Sequence, residues 1–287
     1  MTDVKRGVKI TVASISALVL AVACIVAAPL LKDVLNDIVN PAYRETVIFP
    51  DNGRANPKDT TICIDGIEIR MIGVRGGKIH CEGLRHEFEI EDFYLGETEV
   101  TQGLWKAVMG DNPAINQGGD DYPVENIDLA ECFRFMSRLD SLSGVPFTLP
   151  SYPVWLYAIY LGGHGDSGDL LEERAWYEAN SGGRPHSVKQ KQADALGLYD
   201  MLGNVAEWTI CGSDPLYFTV GGSYESDQVH CSAGMMDMAH GDVALGSLGL
   251  RLAIPAYKQN QLPYEDKYYY CIADSGFGKF LFRKAKV

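Results

Sequence analysis

The apolar positions begin as one unbroken block. Ile10 to Leu31 (ITVASISALVLAVACIVAAPLL) carries no charge, and Lys5, Arg6 and Lys9 stand in front of it. Such a run is long enough to cross a bilayer as a helix. Positive charge before it predicts a cytoplasmic N-terminus, with everything after Lys32 on the far side. Ala21-Val22-Ala23 also fits a signal-peptide cleavage pattern. Cys24 directly after that pattern fits a lipoprotein, although the apolar run continues past it. Length favours an uncleaved anchor over a cleaved or lipidated segment, and all three readings export the rest of the chain.

After this block the pattern breaks into shorter pieces. Residues 32–60 are polar and turn-rich and read as a stalk. Thr61 to Gly83 holds short β-rich runs interrupted by glycines, as hairpin strands do. The GVRGGK within it lacks the Ser or Thr that a phosphate loop needs after Lys78, so it reads as a hairpin turn. Gln102 to Met109 predicts a short amphipathic helix. Leu129, Cys132, Phe133, Met136 and Leu139 share one face of a second helix. Asp128 and Glu131 are placed for a capping box at its start and Gly144 for its end. Cys132 on that stripe reads as a buried thiol. Val154 to Tyr160 predicts a third helix, and from Trp176 onward the chain reads as loop and short strand. The pattern describes one α+β domain, residues 61–253, with a tyrosine-rich C-terminal extension, residues 254–287.

Composition narrows the function. The 287 residues are 46% hydrophobic with a formal net charge of −13. That balance argues against a nucleic-acid partner, since phosphate binding needs concentrated Lys and Arg; the one basic stretch is the closing KFLFRKAKV. Beyond Cys24 there are six cysteines, at 63, 81, 132, 211, 231 and 271. In an oxidising compartment they can pair, but spacing does not assign partners. The absence of CxxC, HxxxH and HExxH removes support for zinc-ribbon, thioredoxin-like and zinc-hydrolase readings. Asp120-Asp121 and Glu172-Glu173 read as solvated faces rather than matched catalytic carboxylates.

An ordered series of motifs carries more information. FYLGETEVTQGLWKAVMGDNP (Phe93–Pro113) is followed by YPVENIDLAECFRFMSRL and by ANSGGRPHSVKQKQADALGLYDMLGNVAEWT (Ala179–Thr209). GGSY (Gly221–Tyr224) and GLRLA (Gly249–Ala253) complete it. The series resembles the formylglycine-generating enzyme, or sulfatase-modifying factor, family over about two thirds of the chain. The resemblance implies a compact α+β fold related to C-type lectins, with little regular secondary structure.

It also implies a chemistry to look for. In enzymes of the family, two thiolates hold a copper ion, and oxygen converts a cysteine of a sulfatase precursor to formylglycine. Soft thiolates select Cu(I). The two cysteines follow GGSY five positions apart, so the second falls on Cys231 and the first on Ser226, with Ser223 in the same stretch. A serine hydroxyl is a hard, neutral ligand and does not replace a thiolate. His230 is adjacent, but neighbours in an extended strand point to opposite faces, so Cys231 reads as a buried thiol or half of a disulfide, with Cys211 as one partner.

Where the family usually carries RLPTEAEWEYA, this chain has TLPSYPVWLYA (Thr148–Ala158). The joint loss of an arginine and three acids reads as a simplified polar interior, with Trp155 and Tyr157 kept as core. The central LGNVAEW corresponds to a structural calcium site in the family, which places candidate ligands at Leu202, Gly203, Val205 and Glu207; calcium prefers such oxygen donors. The alternative for Glu207 is a hydrogen-bonded turn carboxylate, and Asn204 is expected to stabilise the turn. Relatives that oxidise sulfur with non-haem iron carry its ligands on a separate helical domain, which this sequence lacks.

Two functional expectations follow. The first is a non-catalytic, membrane-tethered binding or scaffold module, with a protein or glycan ligand in the envelope. The second is a copper oxidase acting through Cys231 and another soft ligand such as Cys211, Cys271 or Met235. The loss at Ser226 favours the first.

Overall fold

The computed structural model describes residues 46–48, 55–81, 86–164, 170–213 and 215–255, all within the unit Glu45–Val287. The apolar segment Ile10–Leu31 and the chain from Ala256 onward lie outside the described residues. Among those described, no helix is long and apolar enough to cross a membrane.

Short strands come first: β1 (Thr46–Ile48), β2 (Thr60–Ile64), β3 (Ile67–Val74), β4 (Gly77–Cys81), β5 (His86–Ile90) and β6 (Phe93–Gly96). Helices α1 (Gln102–Met109), α2 (Leu129–Ser143), α3 (Tyr152–Leu161) and the single turn α4 (Leu171–Arg174) follow. The chain returns to strands in β7 (Ala206–Ser213), β8 (Leu216–Val220), β9 (Met236–His240), β10 (Leu248–Gly249) and β11 (Ala253–Pro255). These build three small sheets, ordered β1-β4-β5, β10-β7-β8-β9 and β11-β6-β3-β2.

Local chemistry sets the helix limits. The Thr101 hydroxyl accepts from the Leu104 amide to start α1, and Gly110 ends it in the left-handed region, where a glycine has no Cβ to clash. At α2 the Asp128 carboxylate accepts from the Glu131 amide at 2.7 Å, and the Glu131 carboxylate accepts from the Asp128 amide at 3.1 Å. That reciprocal box satisfies two otherwise orphaned N–H groups and contributes about 1 kcal/mol. The Ser151 hydroxyl caps α3 by accepting from the Val154 amide.

Two apolar clusters fill the interior. One is built on α3, with Trp155 and Tyr157 beside Leu198, Met201 and Cys231. The other joins α1 and α2 to Trp208, Leu248 and Leu250. In the second, the Trp105 and Phe135 rings stack at 4.8 Å, a contact that adds about 1 kcal/mol to their burial. Cys132 is a free, buried thiol in this cluster.

Two sequence expectations are corrected. Phe133 is 48% exposed, and Phe135 takes its place in the core. The buried face of α2 is turned toward Trp105 by packing, a choice that the helical period does not contain. GVRGGK is no hairpin turn, because β3 and β4 belong to different sheets. Gly76 instead lets the chain cross closely: a Cβ there would lie 2.1 Å from the Ile90 carbonyl oxygen, and its amide donates to Asp92 at 2.9 Å.

Candidate functional site

Strand β8 is followed by Gly221 and Gly222, both with positive φ. At Gly222 the requirement is also steric. A Cβ would stand 2.8 Å from the His230 carbonyl oxygen and 2.9 Å from Cys231 Sγ. The tight turn brings Ser223, Ser226 and Cys231 together around one residue. The Ser223 amide donates to Ser226 Oγ at 2.9 Å, the two hydroxyls lie 3.3 Å apart, and the Cys231 thiol donates to the Ser223 carbonyl at 3.7 Å.

Cys231 is free and 2% exposed, so the disulfide alternative is corrected. Burial, helped by the charge of Asp227, pushes its pKa up to about 12. The thiol is therefore neutral at physiological pH, and a metal ion binding there would have to displace its proton. Residues 224–231 form a succession of turns rather than an extended strand. His230 stands at the surface, its Nδ1 2.7 Å from Asp227 Oδ1. That hydrogen bond and the charge of Asp227 raise its pKa. The donors do not fit Cu(I): the turn offers one protonated, buried thiol, and the Ser226 hydroxyl already accepts a main-chain hydrogen.

The second candidate group, Leu202, Gly203, Val205 and Glu207, spans a buried turn and the start of β7. The Gly203 amide donates to the Gly221 carbonyl at 2.9 Å, which ties this turn to the first. Glu207 is occupied on both oxygens. Oε1 accepts from Arg251 Nε at 2.8 Å and lies 2.7 Å from Arg251 Nη2, while Oε2 accepts from Trp155 Nε1 at 3.0 Å. A calcium ion bound by this carboxylate would meet the charge of Arg251, so the arrangement does not fit it.

Around Arg251 lies a charged interior, assembled from outside the Thr148–Ala158 segment. Its Nη1 donates to the Gly96 carbonyl at 2.9 Å, and Nη2 donates to the carbonyls of Tyr199 and Asp200 at 2.9 and 3.2 Å. Glu99, Asp200 and Glu207 are all buried beside it. Glu99 accepts from the Val205 amide at 3.0 Å and from Asn204 Nδ2 at 2.7 Å, while Asn204 Oδ1 accepts from the His186 amide at 2.8 Å. Asn204 thus stabilises the turn.

Three carboxylates share one guanidinium, and burial shows in their titration. Desolvation, then the charge of Asp200, holds Glu99 well above the usual carboxylate range. Burial raises Asp200 to about 6. Desolvation also raises Glu207, against the pull of Arg251. Among the described residues, no three His, Cys, Asp or Glu side chains are grouped to hold a metal ion. Sequence reasoning missed Glu99, Asp200 and Arg251 as a unit. One signal was available: Arg251 stands between Leu250 and Leu252 in GLRLA, where an apolar run leaves a charge needing a buried partner.

Three small sheets braced by short helices, with glycine turns locked around a buried arginine, define a compact α+β domain of the formylglycine-generating type. The sulfatase-modifying factor enzyme 1-like domain family matches residues 52–256, and the chain belongs to that family. The chaperone protein LppX of Paenibacillus barcinonensis is 27% identical over 174 residues, a match covering 42% of this chain. The chain spans only 62% of that relative's length. Among solved structures, Treponema denticola variable protein 1 is 25% identical, with a TM-score of 0.63 over 70% of this chain and 100% of its own. PvdO from Pseudomonas aeruginosa shares the fold at 18% identity, with a TM-score of 0.60 over 70% of this chain and 100% of its own.

Proposed function

We propose that this domain is a non-catalytic binding or scaffold module of the cell envelope, one that keeps the family's fold without its copper chemistry. The observation that carries the reading is the turn at Ser223: a hydroxyl stands where the first thiolate belongs, and the partner thiol is buried and neutral. Ile10–Leu31 tethers the module to the membrane with the domain on the outer side, and its ligand is a protein or glycan of the envelope. The name of the related LppX, a chaperone protein, supports a role in engaging another protein. Rigidity of the Leu202–Glu207 turn comes from Arg251 rather than from calcium.

The test is an anaerobic Cu(I) competition titration on the full-length chain beside Cys231→Ser and Ser226→Cys. The expected result is no tight binding by the unmodified chain and a gain of one Cu(I) in Ser226→Cys. Stoichiometric binding by the unmodified chain that disappears in Cys231→Ser would overturn the reading and return the domain to the copper oxidases.

A further inference from the structure

The β11-β6-β3-β2 sheet is incomplete along one side of β3. Strand β2 pairs with it from Ile67 to Met71, whereas β6 pairs only from Met71 to Val74. The Asp65-Gly66 turn has positive φ at both residues, so Ile64 and Ile67 form a hydrogen-bonded pair of a two-residue hairpin. Alternation then points the main-chain groups of Ile67, Ile69 and Met71 toward β2 and those of Glu68 and Arg70 toward the β6 side. The Gly73 amide, which donates to Asp59 beside β2 at 3.1 Å, agrees with that parity.

Beyond Gly96 the neighbouring chain makes one more ladder bond, from the Glu97 amide to the Arg70 carbonyl at 2.9 Å. It then departs, and the Glu97 carbonyl accepts from the Tyr199 amide instead. The Arg70 amide and both main-chain groups of Glu68 have no hydrogen-bond partner among the described residues. They open onto a cleft of about 370 Å³, a volume within the range of ligand sites.

Ile67, Ile69, Val100 and Leu104 contribute apolar surface to this cleft, and Glu68, Glu97 and Asp121 contribute carboxylates. Its cations are already engaged. Arg70 and Lys189 both pair with Glu97, at 3.2 and 2.8 Å, and Arg70 also pairs with Asp59 at 3.1 Å. Glu68 and Asp121 have no ion-pair partner among the described residues. The edge offers donors and an acceptor at strand spacing beside alternating apolar and acidic surface, the pattern that an added strand satisfies.

We propose that this β3 edge accepts an extended segment of a partner protein bearing lysine or arginine, which pairs with Glu68 and Arg70 as an added strand. The cleft lies apart from the Cys231 turn, so the outcome of the copper titration does not bear on it. Basic side chains complement the unpaired carboxylates and set the preference among partners, while main-chain pairing holds the segment whatever its remaining sequence.

The experiment is hydrogen–deuterium exchange on the full-length chain, read at single amides, with an acetylated and amidated nonapeptide alternating Lys and Val. Controls are a Glu/Val peptide and a Lys/Val peptide N-methylated at alternate residues. The Ile69 amide, bonded to β2, is expected to stay slow throughout. The Glu68 and Arg70 amides are expected to exchange fast alone and at least tenfold slower with Lys/Val. The two controls leave them fast, and the double variant Glu68→Lys, Asp121→Lys abolishes the preference for Lys over Glu. No protection at saturating peptide, or equal protection by Glu/Val, overturns the proposal. So does protection already present without peptide and released by deleting Lys279–Val287, which would make the chain's own basic tail the occupant.

Discussion

Replacing Asp200 by asparagine should make the domain more stable at neutral pH, by an amount that depends on pH in a defined way. Asp200 is 2% exposed, its Oδ2 accepts from the Lys189 amide at 2.8 Å, and its Oδ1 has no partner. Its φ of 54° lies in the left-handed region, which asparagine tolerates as well as aspartate does. The substitution keeps the shape and the Oδ2 acceptor, and it replaces the charged, unpartnered Oδ1 with a neutral amide nitrogen. Burial raises the carboxyl pKa from 3.8 to about 6, which corresponds to about 3 kcal/mol. Because the folded pKa is the higher one, the folded chain binds more protons than the unfolded chain between those values. Stability is therefore lost as pH rises from 3.8 through about 6, and the loss is complete above that. Asp200→Asn lacks this slope. Urea unfolding should show the variant ahead by about 3 kcal/mol at pH 7.5, shrinking to about 1 kcal/mol at pH 4.5. The difference at neutral pH equals roughly 6–12 °C in Tm for a domain of this size. A stability difference that does not change with pH, or a variant weaker than the parent at pH 7.5, would refute the reasoning.

Arg251→Met should destabilise the fold by about 3–5 kcal/mol, since Glu207 would be left buried against an apolar side chain. Adding Glu207→Gln should recover part of that loss in the same urea titration, and no recovery would mean that packing rather than charge sets the effect. Iodoacetamide at pH 8 should label the exposed Cys63 in the native chain and reach Cys231 only in denaturant, because that thiol is buried and protonated. Peptide mass spectrometry resolves the two sites, and native labelling of Cys231 at the rate of Cys63 would contradict the buried assignment.

What could be read in advance divides by the distance over which information acts. The α2 boundaries were legible because Asp128, Glu131 and Gly144 act on backbone within one turn of themselves. Which flank of α2 is buried depends on Trp105, so Phe133 and Phe135 were confused. The GVRGGK crossover depends on contacts with Ile90 and Asp92, which no local pattern shows. At the site, the motif series placed Ser223, Ser226 and Cys231 in one stretch, and the turn gathers them. The Arg251 network stayed hidden because its members come from β6 and the loop after it, from the turn before β7 and from the segment between β10 and β11. Each of these charges is unremarked alone and makes sense only when all are assembled.

The last described residues stitch the molecule together. Leu248–Gly249 closes one four-stranded sheet against β7 and Ala253–Pro255 closes another against β6, with Arg251 between them reaching back 155 residues to Gly96. Contacts of such separation cannot form until nearly the whole domain has emerged from the machinery that makes or exports it. Until then both sheets expose an unpaired edge, and the three carboxylates lack their counter-charge. The domain is thus committed to folding late and as a whole, a stage at which exposed edges invite aggregation.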